Sequence, residues 1–390
     1  MERHRIHRGS LAALLVVLAV TLTADGGALH QQASDQFGTS GGNINDISRA
    51  FCCSGTLGAL VSDGAKLFIL SNNHVLARSN QAVAGEVVSQ PGLIDNSCRP
   101  GDPVANLTAY PELGSSNVDA AIAELTGTMD ANGTILDIGI PSAQTRAPQP
   151  SLEVQKSGRT TGHTTGSIGS VNTNVRVQYQ QGCNSGKKFS VTYTNQFVIN
   201  SSSFSAGGDS GSLILANDGS RDPVGLLFAG SSATTIANPI NEVLTQVSAA
   251  HGSPVSFDLS GGGVTLPPDD GGGGGGGGGG RGNGRGGSSR GAQGLGPSLS
   301  ASEVARGTAA KDAHAGRLMA DPAILGVGVG EDPAGSGQAV VVIYANRGQA
   351  RAAIARELNG VRTHVIETDP IVAYGWNSAL APVPSCKAAQ

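Results

Sequence analysis

The chain has 390 residues, room for two or three domains, with a formal net charge of −4 and only 14% charged residues. So weak an acidic balance gives no reason to expect nucleic acid or an anionic membrane surface as a partner. With 59 glycines, the surface must rest on Ser, Thr, Asn and Gly, which suits a β-rich extracellular protein.

Residues 1–24 read as a secretory signal. Arg3, Arg5 and Arg8 make a basic start, and the apolar run Leu11–Leu22 is too short to span a bilayer as a free helix. Ala24 and Ala28 are candidate cleavage points, an uncleaved anchor is the alternative, and no second run is long enough to span. Export puts Cys52, Cys53, Cys98, Cys183 and Cys386 in an oxidising compartment. A bridge between the adjacent Cys52 and Cys53 would be strained, so each is expected to pair with Cys98 or Cys183, in either order. Cys386, in a Pro-rich tail, is left over. No C-x-x-C pair or His/Cys cluster suggests a metal, and no cofactor is implied.

After a polar lead-in over 25–50, residues 51–62 predict a strand, Asp63-Gly64 a turn, and Lys66–Ser71 a second strand. At its exit stands His74, in Ser71-Asn72-Asn73-His74-Val75-Leu76. Next comes Asp119, at the head of the apolar run Ala120–Leu125. A carboxylate there is costly to bury unless hydrogen-bonded, and the His74 imidazole N–H would satisfy it. Asp95, Asp102 and Asp130 sit in turn-like stretches, where solvated carboxylates are the default. Residues 152–200 carry Val154-Gln155-Lys156-Ser157-Gly158-Arg159-Thr160-Thr161-Gly162, then Gly166-Ser167-Ile168 and an alternating run over Val171–Tyr179.

The stretch that organises the rest is Ser205-Ala206-Gly207-Gly208-Asp209-Ser210-Gly211-Ser212, followed by an apolar strand. Glycines permit the tight turn that presents a nucleophilic hydroxyl. That turn can aim the Gly208 and Ser210 N–H groups at one point, where an oxyanion would develop. An ordinary hairpin turn is the bland alternative. The strands Leu213–Leu215 and Val224–Phe228 flank Asn217-Asp218-Gly219-Ser220. From Ile240, the apolar positions Ile240, Val243, Leu244 and Val247 predict a helix.

The order His74, Asp119, Ser210, with the Gly207–Ser212 motif and the Val154–Gly162 stretch, resembles chymotrypsin-fold serine proteases of the alpha-lytic protease and streptogrisin branch over about residues 50–250. The resemblance implies an all-β protease domain over 51–255, made of two six-stranded antiparallel β-barrels and a C-terminal helix. It makes Ser210 the nucleophile, His74 the general base and then acid, and Asp119 the group that orients His74. Phe228, Ala229 and Gly230 should run antiparallel to the substrate backbone. Gly207 should line the site, and Phe204 and Leu227 should form a neutral pocket. A Lys156–Asp209 ion pair should hold the oxyanion loop, with Arg159 as the alternative partner. The sequence also departs from that branch. Gln155 and Thr165 stand where it carries bridged cysteines. Phe228 stands where it presents a serine to the catalytic aspartate, so Asp119 needs another donor that the sequence does not name. The long N-terminal pro-region is missing or moved. His163 reads as a turn residue near the substrate rim.

Residues 256–299, with ten glycines at Gly271–Gly280, read as a flexible linker; a nucleic-acid-binding role for Arg281, Arg285 and Arg290 is the weaker alternative. Residues 300–376 predict a small α+β domain: a helix over Ser302–Ala320, strands at Ile324–Gly330 and Ala339–Ala345, a short helix at Gln349–Leu358, and strands at Val361–Glu367 and Ile371–Tyr374. It resembles, loosely, a small domain found beside some bacterial trypsin-like proteases. His314 and His364 read as structural or exposed, and 377–390 as a tail. The expectation is a secreted, monomeric serine endopeptidase acting on polypeptides, without nucleic acid or a stable membrane anchor. The rivals are a catalytically silent peptide- or surface-binding module and an esterase.

Overall fold

A computed structural model of the chain describes residues 35–48, 51–127, 129–183, 185–260, 299–349 and 354–373. The signal run, the glycine tract and Cys386 lie outside the described residues.

The first barrel comprises β1 (Thr39–Asn43), β2 (Gly55–Leu57), β3 (Ala59–Ser62), β4 (Leu67–Ser71), the short helix α1 (Asn73–Leu76), β5 (Val87–Gln90), β6 (Asp102–Ala109) and β7 (Ala121–Leu125). Its strands run in the order β2-β1-β5-β6-β7-β4-β3. Only Gly58 separates β2 from β3, so the ring closes on itself as six strands, one of them broken. The break is steric: a Cβ at Gly58 would press into Gly211 O of the second barrel. The expected single strand over 51–62 is therefore two.

The polar stretch read as a lead-in supplies β1. Ser40 faces Thr56 on one side, and Gly42 faces Ser89 on the other. Its sequence, Thr-Ser-Gly-Gly-Asn, carries no apolar alternation, yet every residue is buried. Glycine is needed because a Cβ at Gly41 would overlap Leu57.

The second barrel comprises β8 (Glu153–Lys156), β9 (Thr164–Gln180), β10 (Lys188–Ile199), β11 (Leu213–Ala216), β12 (Pro223–Gly230) and β13 (Thr235–Pro239). Pairing runs β8-β9-β10-β13-β12-β11 and returns to β8, a closed six-stranded ring. This is the chymotrypsin-like pair of barrels that the sequence resemblance implies. Helix α2 (Ile240–His251) ends at Gly252, whose left-handed φ of 85° lets its N–H reach Ser248 O at 2.8 Å. Its buried Ile240, Val243 and Val247 join one apolar cluster with Phe68 and Ile122 of the first barrel and Leu213 of the second. Apolar burial at roughly 25 cal/mol per Å² thus ties the barrels together. No helix among the described residues is long and apolar enough to cross a membrane.

The C-terminal unit comprises α3 (Ala301–Met319), β14 (Ile324–Glu331), β15 (Ala339–Asn346), β16 (Glu357–Leu358), β17 (Val361–Thr368) and β18 (Val372–Ala373). Ser300 caps α3 by accepting the Glu303 N–H. Where a short helix was expected over Gln349–Leu358, Glu357–Leu358 forms a strand. The reason is the Asn359-Gly360 turn, with φ of 48° and 75°, which folds β16 back on β17. The unit does not stand apart. Strand β14 pairs antiparallel with β9, so one eleven-stranded sheet runs from the second barrel into the C-terminal unit.

Candidate active site

The three residues singled out in the sequence lie where the two barrels meet. His74 lies on α1, immediately after β4, and is buried. Asp119 precedes β7, where the Asn72 side chain donates to its carbonyl at 2.7 Å. Ser210 sits in the loop before β11. The first barrel grips that loop: Thr56 donates its N–H to Ser210 O at 2.8 Å and its hydroxyl to Gly208 O at 3.0 Å.

Asp119 is fully buried and multiply bonded. Its Oδ2 accepts from His74 Nδ1 at 2.6 Å, and its Oδ1 from the His74 N–H at 3.2 Å. With Nδ1 donating, neutral His74 keeps Nε2 as the acceptor. Another donor reaches Oδ2 as well: the Tyr179 hydroxyl, at 2.9 Å. Tyr179 in turn shares a 2.7 Å hydrogen bond with Tyr193 on β10. Burial first, and the Asp119 charge second, push the Tyr179 phenol well above its usual range, which keeps it protonated and donating. Tyr179 supplies the donor that the sequence left unnamed. Phe228, standing where a serine was expected, instead packs its ring edge-on to Tyr193 at 5.0 Å.

Ser210 and His74 are not hydrogen-bonded to each other. Ser210 Oγ donates to Phe228 O at 3.4 Å, and His74 Nε2 is buried with no partner among the described residues. Gly208 holds a φ of 100°, and a Cβ there would press into Thr160 Oγ1, so only glycine fits. The N–H groups of Gly208 and Ser210 are committed to no acceptor among the described residues. A small cavity beside His74 is lined by Asp46, Arg78, Tyr179, Cys183 and Ala373, among others.

Asp209 is wholly buried behind the loop. Its carboxylate accepts from the N–H groups of Thr160, Thr161 and Ala206 and from the Thr161 hydroxyl, at 2.7–3.1 Å. Lys156 Nζ lies 3.5 Å from Asp209 Oδ2, and both side chains are fully buried. Lys156 also donates to Gly162 O at 2.8 Å and to Thr161 Oγ1. Burial pulls its ammonium below the usual lysine range, against the pull of Asp209. Arg159 takes a different partner, forking onto Asp95 at 2.5 and 2.6 Å. The expectation that Asp95 is a solvated turn carboxylate is therefore corrected. The Asp95 side chain is only 1% exposed, because Arg159 arrives from the other barrel and neutralises it.

Two further expectations change. Phe204 and Leu227, read as pocket walls, have no exposed surface. Both belong to the second-barrel core with Val154, Ile168 and Ile214, and Phe204 packs across Gly166. Gly207 is half-buried at the site, its carbonyl accepting from Thr160 Oγ1 at 2.6 Å. Gln155 and Thr165 stand directly opposite each other across β8 and β9. His163 is exposed and meets the Gln155 side chain at 3.0 Å. Cys52 is bridged to Cys98 and Cys53 to Cys183, with Cα separations of 5.5 and 5.6 Å. The second bridge places Cys53 and Cys183 beside Asp46, a grouping whose two sulfurs are bonded to each other.

No family model matches the chain, and no curated protein matches it. Solved structures do. The chain is similar to a glutamic acid-specific serine protease that uses a histidine triad in substrate binding, with TM-score 0.38, 20% identity, and coverage of 57% of this chain and 98% of that one. It is also similar to Protease A of Thermobifida fusca (TM-score 0.36, 20% identity, 54% of this chain and 94% of that one). A third is an alpha-lytic protease homolog, N4 (TM-score 0.35, 17% identity, 52% and 92%). The first is a serine protease and the other two proteases by name, and the likeness is one of fold.

Proposed function

We propose that this chain is an exported serine endopeptidase that cleaves peptide bonds through Ser210, His74 and Asp119. The observation that carries the reading is the buried 2.6 Å bond from His74 Nδ1 to Asp119, which leaves Nε2 as an acceptor with no partner among the described residues. The paired disulfides fit an oxidising compartment.

The mechanism follows from the groups present. A substrate strand laid along Phe228–Gly230 brings a backbone N–H to Phe228 O, the acceptor that Ser210 Oγ now uses. Displaced from that carbonyl, the hydroxyl turns to His74 Nε2. Ser210 Oγ attacks the scissile carbonyl carbon while Nε2 takes the hydroxyl proton. Asp119, held by Tyr179, stabilises the imidazolium that forms. The oxyanion lies against the Gly208 and Ser210 N–H groups, each such donor being worth about 10²–10³ in rate. His74 then passes its proton to the leaving amine, and water repeats the sequence on the acyl-enzyme.

A silent binding module is the second reading, favoured by the unmade Ser210–His74 bond. Labelling with a fluorophosphonate separates the two, because it needs an activated serine. The expected result is one label on Ser210, lost in Ser210→Ala and reduced by orders of magnitude in His74→Ala. An unlabelled, folded wild type would refute the peptidase reading.

A further inference from the structure

Strand β12 has two edges, and they are filled by different parts of the chain. One pairs with β13 as far as Gly230. The other pairs with β11 only to Leu226, and Gly211 N–H closes on Leu227 O. Beyond that point the edge is the one expected to bind substrate backbone, yet it is not open. Strand β18 lies along it, antiparallel, with Ala373 opposite Ala229 and Val372 opposite Gly230. On its far side β18 pairs with β9 at Gln178, whose N–H also bonds Ile371 O at 3.0 Å. The strand thus fills the slot between β9 and β12.

We infer that the strand Val372–Ala373 is an intramolecular occupant of the peptide-binding edge, so that the full chain is self-inhibited and a peptide must displace its own C-terminal strand to bind. The inference rests on the peptidase reading above and deepens it to the regulation of that site. Direction supports it. An antiparallel strand at this register runs toward Phe228, the residue whose carbonyl holds Ser210 Oγ, as a substrate must. So do the anchors. Ile371 is 1% exposed and packs in one cluster with Phe228 and Ala229. Thr368 Oγ1 meets Ser231 Oγ at 2.5 Å, and Asp369 takes the Ser232 hydroxyl. Ala373 lines the cavity beside His74. A two-residue strand cannot hold itself. It stays because β14 fixes the folded C-terminal unit to β9, which raises its effective concentration at the edge.

The test compares the full chain with Val372→Pro/Ala373→Pro, which removes two strand N–H groups. Because prolines can also disturb folding, Thr368→Val/Asp369→Ala, which cuts the side-chain anchors to Ser231 and Ser232, is run beside it. An intramolecular competitor raises the apparent KM for a peptide and leaves kcat alone. Both variants should therefore show a lower KM at unchanged kcat, by at least about tenfold for the proline pair, or about 1.4 kcal/mol. Fluorophosphonate should label Ser210 in every form, since a small probe needs no extended edge. Labelling in all forms with KM equal within twofold overturns the self-inhibition and leaves the peptidase reading standing. No labelling in any form overturns both.

Discussion

Tyr179→Phe is the sharpest probe of the proposed site. The substitution removes one oxygen from a buried position and leaves the ring stacked on Phe189 at 5.3 Å. Asp119 Oδ2 keeps its bond from His74 but loses the 2.9 Å bond from the phenol, and the Tyr193 hydroxyl loses its 2.7 Å partner. A hydrogen bond to a charged group is worth about 1.5–3 kcal/mol. If that support acts on the transition state, where Asp119 faces an imidazolium, kcat should fall about 10- to 100-fold. Tyr179 is a positioning residue in this scheme, so KM should hold. The assay is steady-state hydrolysis of a short chromogenic peptide, with the downfield proton resonance of His74 Nδ1–H as a direct view of the bond to Asp119. Tyr193→Phe, one step further out, should cost less, and the double mutant should be little worse than Tyr179→Phe alone. A folded Tyr179→Phe enzyme with kcat within twofold of wild type and an unmoved resonance would refute the positioning role.

Lys156→Met should lower kcat and cost about 3 kcal/mol of stability in chemical denaturation, because it strips a buried cation from Asp209, while Lys156→Arg should retain part of both. Burial pushes the Asp46 carboxyl up to about 7, so the native state holds a proton that the unfolded chain releases near pH 4. Wild-type stability should therefore fall relative to Asp46→Asn as pH rises from about 4 to 7, on the order of 3 kcal/mol, and a flat difference in urea melts would count against it. Gly328→Val would drive a side chain into Thr173 and Ser170 of β9, so it should loosen the C-terminal unit and lower the apparent KM for peptides together; a change in one without the other would separate docking from inhibition.

Much of the architecture was readable because it is local. Alternation over Val171–Tyr179 and the apolar spacing of Ile240, Val243 and Val247 predict elements that the structure forms. What stayed hidden depends on distant partners. Tyr179 lies 60 residues from Asp119 and reads as one more inward residue of a barrel strand; nothing near it signals that its hydroxyl ends on a carboxylate. Asp95 reads as a turn residue until Arg159, 64 positions away, arrives beside it. Phe204 and Leu227 were placed by resemblance, and side-chain packing decided otherwise, turning both into the barrel core. Strand β1 has no apolar pattern to read; it is buried between β2 and β5, paired along its two edges.

The docking of the C-terminal unit did leave a trace in the sequence, one that reads differently with the register known. Gly326, Gly328 and Gly330 alternate with valines, which could pass for a weak strand at a domain surface. In the pairing, each glycine is where β9 comes close: a Cβ would meet Asn174 O at Gly326, Thr173 Oγ1 at Gly328 and Gly169 O at Gly330. The intervening Val327 and Val329 point the other way, each with no exposed surface. A strand that gives up side chains on one face weakens itself unless another backbone approaches there. The glycine stripe is therefore the contact surface, and Tyr344, bonded to Ser170 at 2.8 Å and Asn200 at 3.1 Å, pins its neighbouring strand to the same barrel. The strand so gripped, β9, also carries Tyr179. One strand, β9, thus binds the C-terminal unit on its edge and supports Asp119 with the Tyr179 side chain.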